Sequence, residues 1–297
     1  MNKLVAILGP TASGKTNLAI KLAKKYNGEI VSADSRQIYK GMDIGTAKPT
    51  QKEQSGVPHF MLDIKQPNRP YTVAEYKKDA IKIIRKILKK DRLPILVGGT
   101  GLYIKAVVEN LNIPKVEANP LLRKKIEQEI KECGLEYVFK KLIKLDPEAA
   151  YIVDPKNPRR VVRALEITLL TKKPFSQQRK FGNPLFNVLE IGIAVPKNKL
   201  RQRINLRTEQ MIKEGLIEEV KSLIKKYGDG QQAFDAIGYR EIIKNLKGKI
   251  TLQEALEKIK TNTWHYAKRQ MTWFNKDKKI HWIKDCEEAE KLIKKFL

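Results

Sequence analysis

Cysteine is almost missing from this chain: two residues, Cys133 and Cys286, in 297. They lie far apart in sequence and in no metal-ligand spacing, so neither a disulfide framework nor a zinc site is expected, and a reducing cytoplasm fits. Acidic residues are scarce beside basic ones, 33 Asp and Glu against 60 Lys and Arg, leaving a formal charge of +27. Such a chain repels itself without a polyanionic partner, and nucleic acid is the natural inference. A Lys-biased proteome would give the same excess on solvated faces, and the lysine-rich segments at 86–90 and 276–279 read that way. No apolar run approaches the length of a membrane span, and the N-terminus enters a strand within a few residues, leaving no room for a signal peptide. Missing too is the acid-ended apolar strand that holds the metal in a phosphate-loop ATPase, because Ile95-Leu96-Val97 runs into Gly98-Gly99-Thr100-Gly101. Phe60-Met61-Leu62-Asp63 could pass for that motif, but Pro58 and His59 make a poor central strand.

What is present is a periodic, globular pattern. Strand-like runs at 4–8, 29–32 and 93–97 alternate with helical patterns at 15–25 and 73–90, which reads as an α/β unit with a parallel sheet. From 119 to about 172 the pattern changes to charged helices at 120–133, 135–144 and 158–171 with no convincing strand between them. A buried strand returns at 188–195, followed by helices at 197–213, 217–227, 240–245, 252–273 and 287–296. The expected fold is a phosphate-loop-type parallel α/β core over 1–114, an all-helical insertion over 115–187, and the rest of the core, largely helical, over 188–297.

The strongest local signal follows the first strand. Gly9-Pro10-Thr11-Ala12-Ser13-Gly14-Lys15-Thr16 fits the strand, G-x-x-x-x-G-K-[ST], helix pattern in every part. The glycines let the backbone curl until successive N–H groups and a helix N-terminus converge on an anion. Lys15 adds a point charge, and Thr16 a hydroxyl suited to Mg²⁺. The motif says what is gripped, not what is done to it.

Asp34 follows the second strand, where the carboxyl ends of parallel strands line a ligand crevice. A carboxylate there can take a proton or help hold Mg²⁺, or it can simply cap a short helix at 35–39. The glycines of 98–101, with Thr100, allow close backbone approach to a ligand or build a tight turn before a helix at 102–110. Arg159 and Arg163 share one face of a helix opened by Asn157-Pro158, with Arg160 beside them, a row suited to phosphates or to solvent. Arg203 and Arg207 form a second pair four apart. The segment 263–274 mixes aromatics with cations; Trp264 and Trp273 read better as core than as base-stacking platforms.

Taken in order, 9–16, 32–49, Gly56-Val57-Pro58-His59-Phe60, 98–103, 157–167, 236–241 and Tyr266-Ala267-Lys268-Arg269-Gln270 resemble the signature series of the bacterial tRNA dimethylallyltransferases across nearly the whole chain. The resemblance implies transfer of the dimethylallyl group of dimethylallyl diphosphate to N6 of the adenosine following the tRNA anticodon. It makes Asp34 the general base and gives catalytic roles to Lys15, Thr16 and Arg207. Gly9, Pro10, Thr11, Ala12, Ser13, Gly14, Lys15 and Thr16, with Arg203 and Arg207, would bind the diphosphate, and Mg²⁺ would sit on Thr16. Asp34, Ser35, Arg36, Gln37, Thr100, Arg123, Arg159, Arg160, Val161, Val162, Arg163, Gly238, Tyr239 and Arg240 would contact tRNA. A cytoplasmic monomer without zinc or membrane attachment is expected, lacking the zinc-finger extension of eukaryotic relatives.

Three other readings compete on the residues alone. A small-molecule or nucleotide kinase would share the phosphate loop but need ATP. A nucleic-acid-stimulated ATPase would want the missing acid-ended strand, and a plain RNA-binding module would leave Lys15, Thr16 and Asp34 without purpose.

Overall fold

The computed structural model describes residues 2–114, 116–178 and 181–297. The chain divides into two compact units, Met1–Val108 together with Leu185–Leu297, and Glu109–Pro184.

The first unit begins with β1 (Lys3–Leu8), α1 (Lys15–Lys25), β2 (Gly28–Ser32), α2 (Gln51–Gln54), β3 (His59–Phe60), α3 (Val73–Leu88), β4 (Leu93–Gly98) and α4 (Gly101–Val108). The second unit holds α5 (Pro120–Cys133), α6 (Leu135–Leu145), α7 (Ala149–Ile152), α8 (Pro158–Thr171) and α9 (Phe175–Gln178). The chain then completes the first unit with β5 (Asn187–Ile193), α10 (Lys197–Lys213), α11 (Leu216–Tyr227), a 3₁₀ turn (Gln232–Asp235), α12 (Tyr239–Leu246), α13 (Leu252–Phe274), β6 (His281–Ile283) and α14 (Cys286–Phe296).

The six strands form one sheet in the order β3-β2-β4-β1-β5-β6, every neighbouring pair parallel. Parallel sheets are covered on both faces, which is why β1 and β4 read as continuous apolar runs rather than as alternating ones. Leu4, Ala6 and Leu8 pack on one side with Tyr76, Ala80 and Ile84 of α3 and Ile104 of α4. Val5 and Ile7 pack on the other with Ala19 and Leu22 of α1 and Ile293 of α14. The α/β core is thus the one expected from alternating strand and helix patterns. Thr72 and Thr251 start α3 and α13 with capping boxes, each hydroxyl accepting from the N–H of a Glu three residues on.

Two strands escaped the sequence reading. β3 has two residues and β6 three, too short for an alternation to show. Pro58 and His59, an objection to a central strand, are compatible with β3 because it pairs only with β2 at the sheet edge. The predicted helix at 102–110 stops at Val108, and the predicted strand at 188–195 lies at 187–193.

In the second unit α5, α6 and α8 close on a core that includes Ile126, Val138, Leu142, Val161 and Leu165. Its described residues contain no strand, only an isolated bridge between Leu111 and Phe181. Asn119 and Asn157 cap α5 and α8, each followed by Pro, whose missing N–H costs nothing in the first helical turn. In the first unit α11, α12 and α13 enclose a further core with Ile38, Met42, Phe234 and Tyr239.

Candidate active site

The strand order β2-β4-β1 sets three loops side by side at the carboxyl end of the sheet: 33–37 after β2, 98–101 at the end of β4, and 9–14 after β1. With α10 and α13 they line a cavity of about 720 Å³. The loops touch closely. A Cβ on Gly98 would fall 2.2 Å from the Ala33 carbonyl oxygen, so only glycine lets the end of β4 lie against the segment carrying Asp34.

The phosphate loop folds as its motif requires. Gly14 takes a positive φ of 93° at the N-cap of α1, and Ala12 stands in the left-handed region at 61°. The Ser13 N–H donates to the Pro10 carbonyl at 3.3 Å, closing the curl. Lys15 Nζ lies 2.6 Å from the Pro10 carbonyl and 3.5 Å from Ser13 Oγ. Burial pushes Lys15 down to about 8; the Asp34 charge opposes that shift and Arg207 adds to it. Thr16 lines the same cavity.

α10 brings two more cations to the cavity. Arg203 Nη1 donates to the Ser13 carbonyl at 3.2 Å, and Arg207 Nη2 lies 3.5 Å from the Ala47 carbonyl. Burial lowers Arg207 from its ordinary value while Asp34 pulls it back. Lys15, Arg203, Arg207 and Asp34 therefore line one cavity, which Lys48, Asp43, Glu53 and Glu214 also line.

Asp34 Oδ1 accepts the N–H groups of Arg36 at 2.8 Å and Gln37 at 3.3 Å. Residues 35–38 form turns rather than the short helix that a capping role anticipates, so the carboxylate nucleates an Asx-type turn. The Ser35 N–H donates to Thr100 Oγ1 at 3.0 Å, tying the Asp34 segment to the turn after β4. Gln37 spans from Ser32 to the carbonyls of Thr46 and Ala47, and Arg36 donates to the carbonyls of Gln232 and Ala233, both at 3.1 Å. The side chains of Arg36 and Gln37 thus tie the Asp34 turn to 232–233 and to 46–47, and Gln37 also lines the cavity. Asp63 lies in a turn after β3, where its carboxylate pairs with the buried Lys48 at 2.6 Å.

α13 supplies two wall residues, Tyr266 and Gln270, that lie outside the site residues expected from sequence. Gln270 Nε2 donates to the Gly99 carbonyl at 2.9 Å while its Oε1 accepts the Thr11 N–H at 2.8 Å. Tyr266, one turn earlier, bonds to Thr100, and burial, reinforced by the Asp34 charge, pushes its phenol up to about 12. Their i, i+4 spacing inside the segment 266–270 was the available signal. The tryptophans of this helix are partly buried against core residues: Trp264 packs on the cluster of Leu200, Ile204 and Ala267, and Trp273 lies against the Gly101 turn.

The residues matched to tRNA contacts fall into separate settings. In the second unit Arg123 donates twice to Glu166, whose side chain is wholly buried, and Arg163 donates to the same carboxylate at 2.6 Å. Arg159 and Arg160 are exposed, whereas Val161 and Val162 are in the core. In the first unit Gly238, φ +98°, donates its N–H to Glu241 at the start of α12. Tyr239 is fully buried, with its hydroxyl on Glu219 at 2.6 Å, leaving Arg240 as the exposed member of that trio.

Comparison with known proteins agrees along the whole chain. The family model described as IPP transferase matches residues 37–277. The tRNA dimethylallyltransferase of Acetivibrio thermocellus is 46% identical over 300 residues, which cover 99% of this chain and 96% of the relative. That of Carboxydothermus hydrogenoformans is 44% identical over 299 residues, covering 99% and 96%. The full-length tRNA isopentenylpyrophosphate transferase of Bacillus halodurans superimposes with a TM-score of 0.74 at 42% identity, over 100% of this chain and 95% of that one. A eukaryotic dimethylallyltransferase solved acting on tRNA gives 0.79 at 28% identity, over 96% and 74%. With a motif series, a parallel sheet and near-full-length relatives in agreement, this chain belongs to the IPP transferase family and, within it, to the tRNA dimethylallyltransferases.

Proposed function

We propose that this chain transfers the dimethylallyl group of dimethylallyl diphosphate to N6 of the adenosine following the tRNA anticodon, with release of diphosphate. The observation that carries the reading is one cavity lined by a phosphate loop, by Lys15, Arg203 and Arg207, and by Asp34, in a chain whose β4 ends in glycine instead of a metal-holding acid. Such a site suits the departure of an intact diphosphate rather than phosphoryl transfer.

In this reading the loop N–H groups, Lys15, Arg203 and Arg207 hold the diphosphate and offset the charge that gathers on it as the allylic C–O bond breaks. The adenine amine attacks the allylic carbon as that bond opens. Asp34 accepts the hydrogen bond of the amine and takes its proton, a role worth about 10²–10⁴-fold in rate. An amine conjugated to a purine is a weak nucleophile, so orientation by the Asp34 turn counts as well.

The residues present fit Mg²⁺ as a passenger on the diphosphate. No cluster of three or more His, Cys, Asp or Glu able to hold a metal occurs among the described residues, and Mg²⁺ commonly keeps its waters and binds through substrate phosphates with one or two protein oxygens. Thr16 would supply such an oxygen. When bound, the ion adds Lewis-acid stabilisation of the leaving group.

A target base must leave its stack to reach the cavity, at a cost of a few kcal/mol. Ser35 and Thr100 flank Asp34 and would meet that base, while the exposed Arg159, Arg160 and Arg240 would take backbone phosphates. Val161, Val162 and Tyr239 would shape these surfaces from beneath, and Arg123 and Arg163 would support them through Glu166. Incubating the protein with tRNA and labelled dimethylallyl diphosphate without any nucleoside triphosphate tests the reading; a requirement for ATP would overturn it.

A further inference from the structure

Gln270 stands between two parts of the site that must keep a fixed separation. Its amide is buried, and both of its ends are used, one on the Thr11 N–H of the phosphate loop and the other on the Gly99 carbonyl. The contact is close enough that a Cβ on Gly99 would lie 2.2 Å from Gln270 Nε2. From Gly99 the connection continues through Thr100, whose N–H donates to the Ala33 carbonyl at 3.2 Å and whose Oγ1 accepts the Ser35 N–H at 3.0 Å. Those two bonds flank Asp34. Gln270 therefore closes a hydrogen-bonded path from the anion cradle to the carboxylate, and it does so from α13, a helix that belongs to neither loop.

We propose that Gln270 is a positioning residue that sets the distance between the diphosphate cradle and Asp34, and so between the breaking C–O bond and the amine that attacks it. The inference rests on the proposed prenyl transfer. A carboxamide suits the task because it donates at one end and accepts at the other at every pH, which no ionised or apolar side chain of that size can do. Misplacing reacting groups by about 1 Å can cost on the order of 10²-fold in rate while leaving each substrate's own contacts in place. The expected signature is thus a fall in kcat larger than any rise in KM.

Two variants test it, with transfer rate, KM for dimethylallyl diphosphate, thermal unfolding and the thermal shift given by inorganic diphosphate measured on each. Gln270→Met keeps the volume and removes both hydrogen bonds; it should lower kcat by about 10-fold or more, with KM changed by less. Gln270→Glu should be impaired while its carboxyl is ionised, because the carboxylate cannot donate to Gly99. It should recover relative to wild type as pH falls and the protonated carboxyl regains a donor and an acceptor. The Met variant, having no titrating group there, should show no such recovery. Variants that lose thermal stability alone, with wild-type kcat and KM below the melting transition, would overturn the proposal, as would a Glu variant whose activity ratio to wild type is flat with pH. Failure of the wild-type chain to transfer any label would overturn the functional reading and this inference with it, whereas wild-type transfer with unimpaired variants would overturn the inference alone.

Discussion

Arg123 grips the buried carboxylate of Glu166 at two points, Nε at 3.0 Å and Nη2 at 2.9 Å. Arg163 and the Asn119 N–H share the same carboxylate, so the arginines of the second unit divide into those that hold it together and those that face outward. Arg123→Ala or Arg163→Ala should therefore destabilise the protein by about 1–3 kcal/mol, because each leaves a buried charge short of a partner. Arg159→Ala with Arg160→Ala should instead leave thermal unfolding close to wild type, weaken tRNA binding, and reduce the slope of log affinity against log salt by about 2. Unfolding scans and salt titrations on both pairs check the division.

Glu166 also gives a pH dependence of known sign. Burial alone would raise its carboxyl, but the bonds from Arg123, Arg163 and the Asn119 N–H hold it below its ordinary value of 4.5. A carboxyl lowered on folding contributes stability that is fully present above its unfolded value and lost as pH falls through the folded one. The stability difference between wild type and Glu166→Gln should accordingly shrink as pH falls below 4.5, as followed by denaturant unfolding across acid pH.

Lys15, held at about 8 in the free protein, must be a cation when it meets a diphosphate. A bound anion favours the protonated form, so binding should take up a proton near that pH, and affinity should weaken as pH rises through about 8. Calorimetry of inorganic diphosphate binding in buffers of different ionisation enthalpy would register the uptake. Lys15→Met should abolish it and raise KM for dimethylallyl diphosphate while sparing tRNA binding.

Asp34→Asn separates chemistry from turn formation. The amide oxygen can still accept the Arg36 and Gln37 N–H groups, so thermal unfolding should hardly move. Loss of the base should lower single-turnover transfer by about 10²–10⁴-fold with near-normal tRNA affinity. Turnover within about twofold of wild type would confine Asp34 to its turn, well short of the loss expected of a general base.

The parts of this site that could be read from sequence are those whose backbone chemistry is local. The glycines and Lys-Thr of 9–16 announce a loop between a strand and a helix, and the apolar runs of β1 and β4 announce a covered parallel sheet. What could not be read depends on pairings remote in sequence. Gln270 reaches Thr11 across 259 positions, and Arg36 reaches Ala233 across 197. Tyr239 stands in a motif that looks like a surface contact, yet its ring packs against Gly45 and its hydroxyl turns inward to Glu219. Likewise the arginine row of α8 reads as one face, but the buried Glu166 draws Arg163 away from Arg159 and Arg160.

The central claim is that the phosphate loop holds a leaving diphosphate while Asp34 activates an adenine amine. Single-turnover reaction of the wild-type protein with an anticodon stem-loop and dimethylallyl diphosphate labelled in both the prenyl and phosphate parts, with Mg²⁺ and no nucleoside triphosphate, measures it directly. Prenyl label on N6 of the adenosine following the anticodon, with the phosphate label recovered as diphosphate at the same rate, is the predicted result. Phosphate label in the RNA, release of monophosphate, or no transfer until ATP is added would contradict it.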